Sequence, residues 1–274
     1  MYQIRTNHPP RYAAVNSAHN SDEDERRRFI INVALRCFRD NADREYAHAR
    51  LAYKALLGNQ FLWSALHCLE KYAKGAALLR EVSSKHLRHE VIGVLRTIQL
   101  HKPDQAIHLS SNVMDFIEEL EKTGARERYL GISYTVFPED LEKLDLAVFE
   151  IREFCFPVLS PQDRLTWEEM VSNGTVPTTQ PRPYSGWLEK VVNTPSHSAF
   201  EAVAWNNSQL GTSLPRREDA SFGNWLYERS PLSLGTPKFI DELANLIFID
   251  KSFKEACLRE MATDHSEKGT FQNS

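Results

Sequence analysis

The sequence lacks any run of about eighteen uncharged apolar residues, the least that spans a bilayer as a helix, so no membrane span is expected. Its opening segment, MYQIRTNHPPRYAAVNSAHNSDEDERRR, lacks the apolar core of a secretory leader, which makes a cytoplasmic location the expectation. Cysteine is scarce: Cys37, Cys68, Cys155 and Cys257 stand far apart and form no Cys-x-x-Cys pair. That spacing argues against a disulfide framework and against a structural zinc site. Glycine is scarce too, and the 11 residues are too dispersed to build a phosphate-cradling loop; no Gly-x-Ser-x-Gly elbow occurs either. An excess of positive charge is also missing. With 33 basic against 37 acidic residues, the net charge of -4 gives no global attraction to nucleic acid, so any RNA contact has to be local.

What is present is an ordinary globular composition, 42% hydrophobic and 26% charged over 274 residues, enough to bury a sizeable core. Residues 1–21 are polar and without period, and read as a loose arm. Ser21, followed by Asp22 to Glu25, starts a helix whose Ile30, Val33, Ala34, Cys37 and Phe38 recur at helical spacing to about Arg39. The next segment, DNADREYAHARLAYKALLGNQ, aligns Ala42, Tyr46, Ala49, Tyr53, Leu56 and Leu57 on one stripe. Asp43, Arg44, Arg50 and Lys54 fall away from that stripe, and Gly58-Asn59 is the expected stop. FLWSALHCLEKYAKGAALLR then carries Leu62, Ala65, Leu66, Leu69, Tyr72, Ala73, Ala76 and Leu79, completing an antiparallel hairpin with Trp63 expected in its packing.

Ser83 or Ser84 is the expected cap of a third helix through HLRHEVIGVLRTIQL, and a fourth runs from about Asp104 to Lys122. ARERYLGISYTVF reads as a buried loop or short extended piece, and Pro138 opens a helix through DLEKLDLAVFEIREFC. These elements make residues 22–156 an antiparallel helical bundle of the all-α class. Pro157, Pro161, Pro177, Pro181 and Pro183 mark residues 157–184 as a connector. Residues 185–262 form a helical C-terminal region that packs on the bundle, with PKFIDELANLIFIDKSFKEACLREM its longest element. Residues 263–274 are a frayed tail, and no strand pair is clear.

The segment LHCLEKYAKGAAL, followed by a short polar break and HLRHEV, resembles HEPN domains. In that family an apolar stretch leads into an Ala/Cys-x-Glu-Lys-x-x-Lys-Ala pattern, and the next helix often opens with His-Asp-Leu. Glu70, Lys71, Lys74, Gly75 and Ala76 match the first pattern, and His89-Glu90-Val91 approximates the second. DREYAHAR, with Asp43 and Arg50, resembles the preceding helix of such bundles, and LDLAVFEIREFC the closing one. The resemblance spans about Asp40 to Cys155 and leaves 157–274 outside. It implies a HEPN-like bundle that forms a homodimer and acts by binding RNA, a nucleotide or a partner protein. Glu70, Lys71, Lys74 and His89 are the ligand-binding residues it points to. Other members, among toxin and defence proteins, cleave RNA without a metal.

Catalytic members use an Arg and a His separated by four to six residues, the Arg to stabilise phosphorane charge and the His to exchange protons near neutral pH. Three pairs have that spacing: Arg96 with His101, Arg80 with His86, and Arg259 with His265. With 21 arginines and 10 histidines in 274 positions, chance supplies about two such pairs, so location has to decide. Arg96 and His101 end one predicted helix and are the preferred pair; Arg80 and His86 straddle a break. The closing helix departs from the family pattern, for it holds Arg152 and no histidine at that distance. Binding without catalysis is therefore the leading expectation. A metal-independent endoribonuclease using Arg96 and His101 and a structural helical adaptor are the alternatives.

His86, His89 and Glu90 lie close in sequence, but no third partner follows at a recognised metal spacing, so no metal and no other cofactor is expected. Arg216, Arg217 and Trp225 are a further binding-patch candidate, whereas Arg26 to Arg28 follow four acids and read as a solvated helix face.

Overall fold

A helical hairpin organises the chain. The computed structural model describes residues 21–87, 89–127, 134–159, 161–175, 183–210 and 226–228, together with Lys251, Lys254, Glu255 and Arg259. The hairpin arms are α2 (Asp40–Lys54) and α3 (Gly58–Leu79). Both bury many small side chains, Ala42, Ala49 and Ala52 on α2 and Ala65, Ala73 and Ala76 on α3, and small residues let helix axes approach closely. Tyr46, Phe61, Leu66, Leu69 and Tyr72 fill the space around them. α3 is the central element: it packs against α2, α4 (Val91–His101), α5 (Ser111–Glu127) and α6 (Pro138–Arg152).

The described residues are mostly helical, as the hydrophobic period predicts, but several boundaries differ. The first helix does not stop at Arg39. α1 (Ser21–Val33) passes through a π-helical segment, Ala34–Arg39, directly into α2. A π turn adds a residue and re-phases the side chains on either side of it, so the apolar period breaks while the backbone stays helical. Gly75 of α3 takes the crossing, since a Cβ there would sit 3.1 Å from Phe38 Cβ. The stop between α2 and α3 is Leu56, not Gly58-Asn59. Leu56 adopts φ 61°, and the N–H groups of Leu56 and Leu57 return to the carbonyls of Tyr53 and Ala52 at 3.0 and 2.9 Å. Those two bonds close a Schellman motif, which supports a left-handed residue that is not glycine.

α4 begins at Val91 and not after Ser83 or Ser84, because its cap comes from another helix: Glu121 of α5 accepts the Ile92 N–H at 2.8 Å. α5 likewise begins at Ser111 rather than Asp104. Pro103–Gln105 form a 3-10 turn, and the Ser110 N–H and hydroxyl both donate to Glu150 of α6, at 2.8 and 2.7 Å, which pins the chain outside the helix. α6 opens at Pro138 as the sequence predicts, with Asp140 accepting the Phe137 N–H at 2.8 Å.

The connector contains a helix of its own, α7 (Pro161–Ser172). Proline is tolerated in a first helical turn, where its missing N–H has no intrahelical partner to lose. Two short helices follow, α8 (Trp187–Val192) and α9 (Phe200–Ala204), which pack against α2. β1 (Tyr134–Val136) pairs antiparallel with β2 (Leu226–Glu228), Tyr134 opposite Glu228. Three-residue strands carry too little alternation for the sequence to reveal them. Among the described residues no helix is long and apolar enough to cross a membrane. The arm from residue 1 to 20, the expected long helix beyond Pro237 apart from the four residues named above, and the tail lie outside the described residues.

A larger correction concerns charge. Asp43 and Arg50, expected on the polar face of α2, are buried, as are Arg39, Asp145 and Arg152. α8 and α9 cover the side of α2 that a hairpin alone would leave in water. Asp43 accepts four hydrogen bonds: from the Tyr72 hydroxyl at 2.6 Å, from Arg152 Nε at 2.7 Å and Nη2 at 3.0 Å, and from the Leu188 N–H at 3.0 Å. Arg152 also donates to both oxygens of Glu189, at 2.5 and 2.8 Å, and Glu189 in turn accepts the Gly186 N–H at 2.8 Å. Phe156 lies beneath the guanidinium groups of Arg39 and Arg152, 5.0 and 5.3 Å from its ring centre. Gly186 has no room for a Cβ, which would collide with the Arg39 guanidinium and the Asp40 carboxylate.

A second network, built on Tyr46 and Arg50, lies further along α2. Arg50 donates from Nη1 to Asp145, from Nε to the Ala202 carbonyl at 2.9 Å, and from Nη2 to the Trp205 carbonyl. Tyr46 donates to Asp145 Oδ1 at 2.6 Å and accepts from Asn207 at 2.7 Å. Burial raises the Asp145 carboxyl above its usual range, against the pull of Arg50.

Burial disfavours a charged Glu189, but the hydrogen bond and charge of Arg152 and the backbone bond from Gly186 outweigh it and hold the carboxyl well below the usual carboxylate range. A depressed folded-state value means that the unfolded chain binds the proton first as pH falls. The stabilisation is complete above the unfolded value, about 4.3, and is lost below it. Glu189→Gln should therefore destabilise the protein at pH 7, and its deficit against wild type should shrink as urea denaturation is repeated below about pH 4; a deficit independent of pH would contradict this. Arg152→Ala, which strands Asp43 in the core, should cost about 3–5 kcal/mol in the same assay.

Candidate ligand-binding site

α3 is buried on nearly every side. Its less buried stripe is Trp63, His67, Lys71 and Lys74, spaced by four, four and three residues, the period of one helix face. Glu70 lies beside the stripe, and His89, in the turn before α4, reaches over it. The rings cluster: Trp63 and His67 centres are 4.3 Å apart, Trp63 and His89 5.8 Å, and His67 and His89 6.1 Å. Glu70 spans the group, with Oε2 at 3.1 Å from His89 Nδ1 and Oε1 at 2.5 Å from Lys74 Nζ. Lys71 pairs with Glu45 of α2 at 2.8 Å. Burial lowers the pKa of His67, with Glu70 opposing and Lys71 reinforcing the shift, so the ring favours its neutral form, with a free nitrogen lone pair. The position of His89 follows from the late start of α4, since the Glu121 cap sets the helix to begin at Val91 and leaves His89 outside it, where its ring meets Glu70 of α3.

The structure thus brings Glu70, Lys74 and His89 together and places Lys71 on the same face, bound to another acid. It adds His67, which the sequence analysis did not single out, and moves Trp63 from the packing to the partly exposed stripe. His67 and Glu70 lie three residues apart on one helix face, a readable signal; their partner His89 is 19 residues beyond Glu70, across a turn no local pattern defines.

The Arg-His pairs fare differently. Arg80 donates to the carbonyls of Ala76, Phe154 and Gln105 at 2.9, 3.0 and 3.0 Å and stacks over Phe154, so its guanidinium ties α3 to the ends of α4 and α6. His86 is exposed in the following turn. Arg96 and His101 are both exposed on α4, and five residues at 100° each set them about 140° apart around the axis, toward different sides. His265, Arg216, Arg217 and Trp225 lie outside the described residues. Among the described residues, His67, Glu70 and His89 are brought together as a His/Cys/Asp/Glu cluster, all three ligand atoms within 4.8 Å of one another.

With this geometry in hand, comparisons with protein-family models, with curated proteins and with solved structures find no match to the chain. The class defined by fold and site is an all-α protein whose central helix presents one ring-rich, charged face.

Arg80→Ala should lower stability by about 1–3 kcal/mol, because it strands carbonyls at three helix ends, whereas His86→Ala should stay within about 0.5 kcal/mol of wild type. Urea denaturation of the two variants checks this, and equal small effects would remove the structural role assigned to Arg80.

Proposed function

We propose that this protein is a HEPN-like binding module, cytoplasmic and homodimeric, that takes a nucleotide or an unpaired RNA base on the Trp63, His67 and His89 rings without turning it over. The observation that carries the reading is the partly exposed cluster of these rings beside Lys71 and Lys74. Bases stack on aromatic side chains without regard to sequence, at about 1–3 kcal/mol per base, and cations alongside accept the phosphate. Lys71 and Glu45 are each nearly one-third exposed, and such pairs contribute at most about 1 kcal/mol, so the lysine can exchange its partner for a phosphate at little cost. The family and dimer parts of this reading rest on the pattern of Glu70, Lys71, Lys74 and Ala76 and on His89-Glu90-Val91. Binding without turnover fits the burial of Arg152 on α6 and the divergent directions of Arg96 and His101.

Titration of Trp fluorescence with single-stranded RNA and with adenine and guanine nucleotides, in EDTA, tests the reading, with gel filtration reporting the oligomer. Saturable binding weakened at least fivefold by Trp63→Ala, and further by Lys71→Ala, is the expected result. Cleavage of the RNA that disappears in His101→Ala would replace this reading with the nuclease one. Neither binding nor cleavage by the folded protein would leave the adaptor.

A further inference from the structure

We propose that His67, Glu70 and His89 form a binding site for a divalent transition-metal ion of the zinc class. Two imidazoles and one carboxylate are the donor set of open zinc sites, in which the fourth position is left to water or a substrate oxygen. Here the carboxylate and one imidazole are already in contact, Glu70 Oε2 and His89 Nδ1 being 3.1 Å apart. All three ligand atoms lie within 4.8 Å of one another. Donors about 2.1 Å from a tetrahedral ion are about 3.4 Å from each other, so side-chain rotations of about an ångström close the site. The two histidine ring centres, 6.1 Å apart, suit a shared ion, because a ring that ligates at about 2.1 Å has its centre about 3.2 Å from the metal.

The backbone supports the arrangement. His67 and Glu70 are three residues apart on the same face of α3, a rigid helix held on several sides, and His89 enters from the turn before α4. Glu70 Oε1 stays with Lys74 while Oε2 faces His89, so the lysine orients the carboxylate from outside the coordination shell and also tempers its charge. Trp63 sits beside both histidine rings, tilted by 39° to His67 and 59° to His89, and holds them close to one another.

The proposal stands apart from base binding, because the probe is the metal alone. The full chain, stripped with a chelator and dialysed, is titrated with zinc chloride by calorimetry and with cobalt(II) by visible absorption. The expected result is one ion per chain, with the visible bands of a four- or five-coordinate cobalt site, and a loss of at least tenfold in affinity in His67→Ala, in Glu70→Gln and in His89→Ala. His86→Ala and His101→Ala should bind as wild type does. His89 is 41% exposed, so its removal leaves the core intact and that variant decides the matter should another fail to fold by circular dichroism. No saturable binding, or binding that His89→Ala leaves unchanged, overturns the site. Metal binding without nucleotide or RNA binding would retain the site and discard the base-stacking reading, and the reverse would do the opposite.

Discussion

Two opposite charges taken out of water are tolerable only when their remaining hydrogen-bonding positions are met, and the Asp43–Arg152 pair meets that condition through two further parts of the chain. Asp43 belongs to α2, Arg152 to the end of α6, and the groups that complete them, Tyr72, Glu189 and the Leu188 N–H, belong to α3 and α8. The pair therefore fixes where α6 ends against the hairpin and where residues 183–210 return across it. Arg50 repeats the device nearby, reading the Ala202 and Trp205 carbonyls that end α9. Both arginines bind backbone carbonyls or carboxylates in fixed directions, so they specify position, where apolar packing alone would tolerate a slide.

That constraint decides what is left for a ligand. Once α2, α4, α5 and α6 surround α3 and the buried arginines hold α8 and α9 against α2, the less buried stripe of the central helix is Trp63, His67, Lys71 and Lys74. A rigid helix with one open face holds side chains at fixed spacing, which suits recognition and metal ligation alike. The late start of α4 adds His89 to that face. The site is thus a by-product of the same packing that buries the ionic networks, and its donors inherit the rigidity of α3.

The amphipathic hairpin was legible because its signals are local: Ala42, Tyr46, Ala49 and Tyr53 on α2, and Leu66, Leu69, Tyr72 and Ala76 on α3, repeat at three and four residues. Pro138 as the opening of α6 was legible for the same reason. Glu70, Lys74 and His89 were picked out by their sequence pattern and do meet, although the pattern carried no distance. The burial of Asp43, Arg50 and Arg152 was not legible, since a charged residue off the apolar stripe looks solvated until a distant segment is known to cover it. The start of α4 was set by Glu121, 29 residues from the N–H it caps, and the β1–β2 pairing by strands too short to announce themselves.

The sequence by itself determined the all-α class and the identity of the central hairpin, because each depends on residue types at short range. Tertiary structure alone decided which charges are buried, that Arg80 serves helix ends, and that His67 and Glu70 of α3 face His89 from the next turn. Those outcomes depend on which surfaces meet across many residues, where the energy of a contact depends on partners the local pattern does not contain.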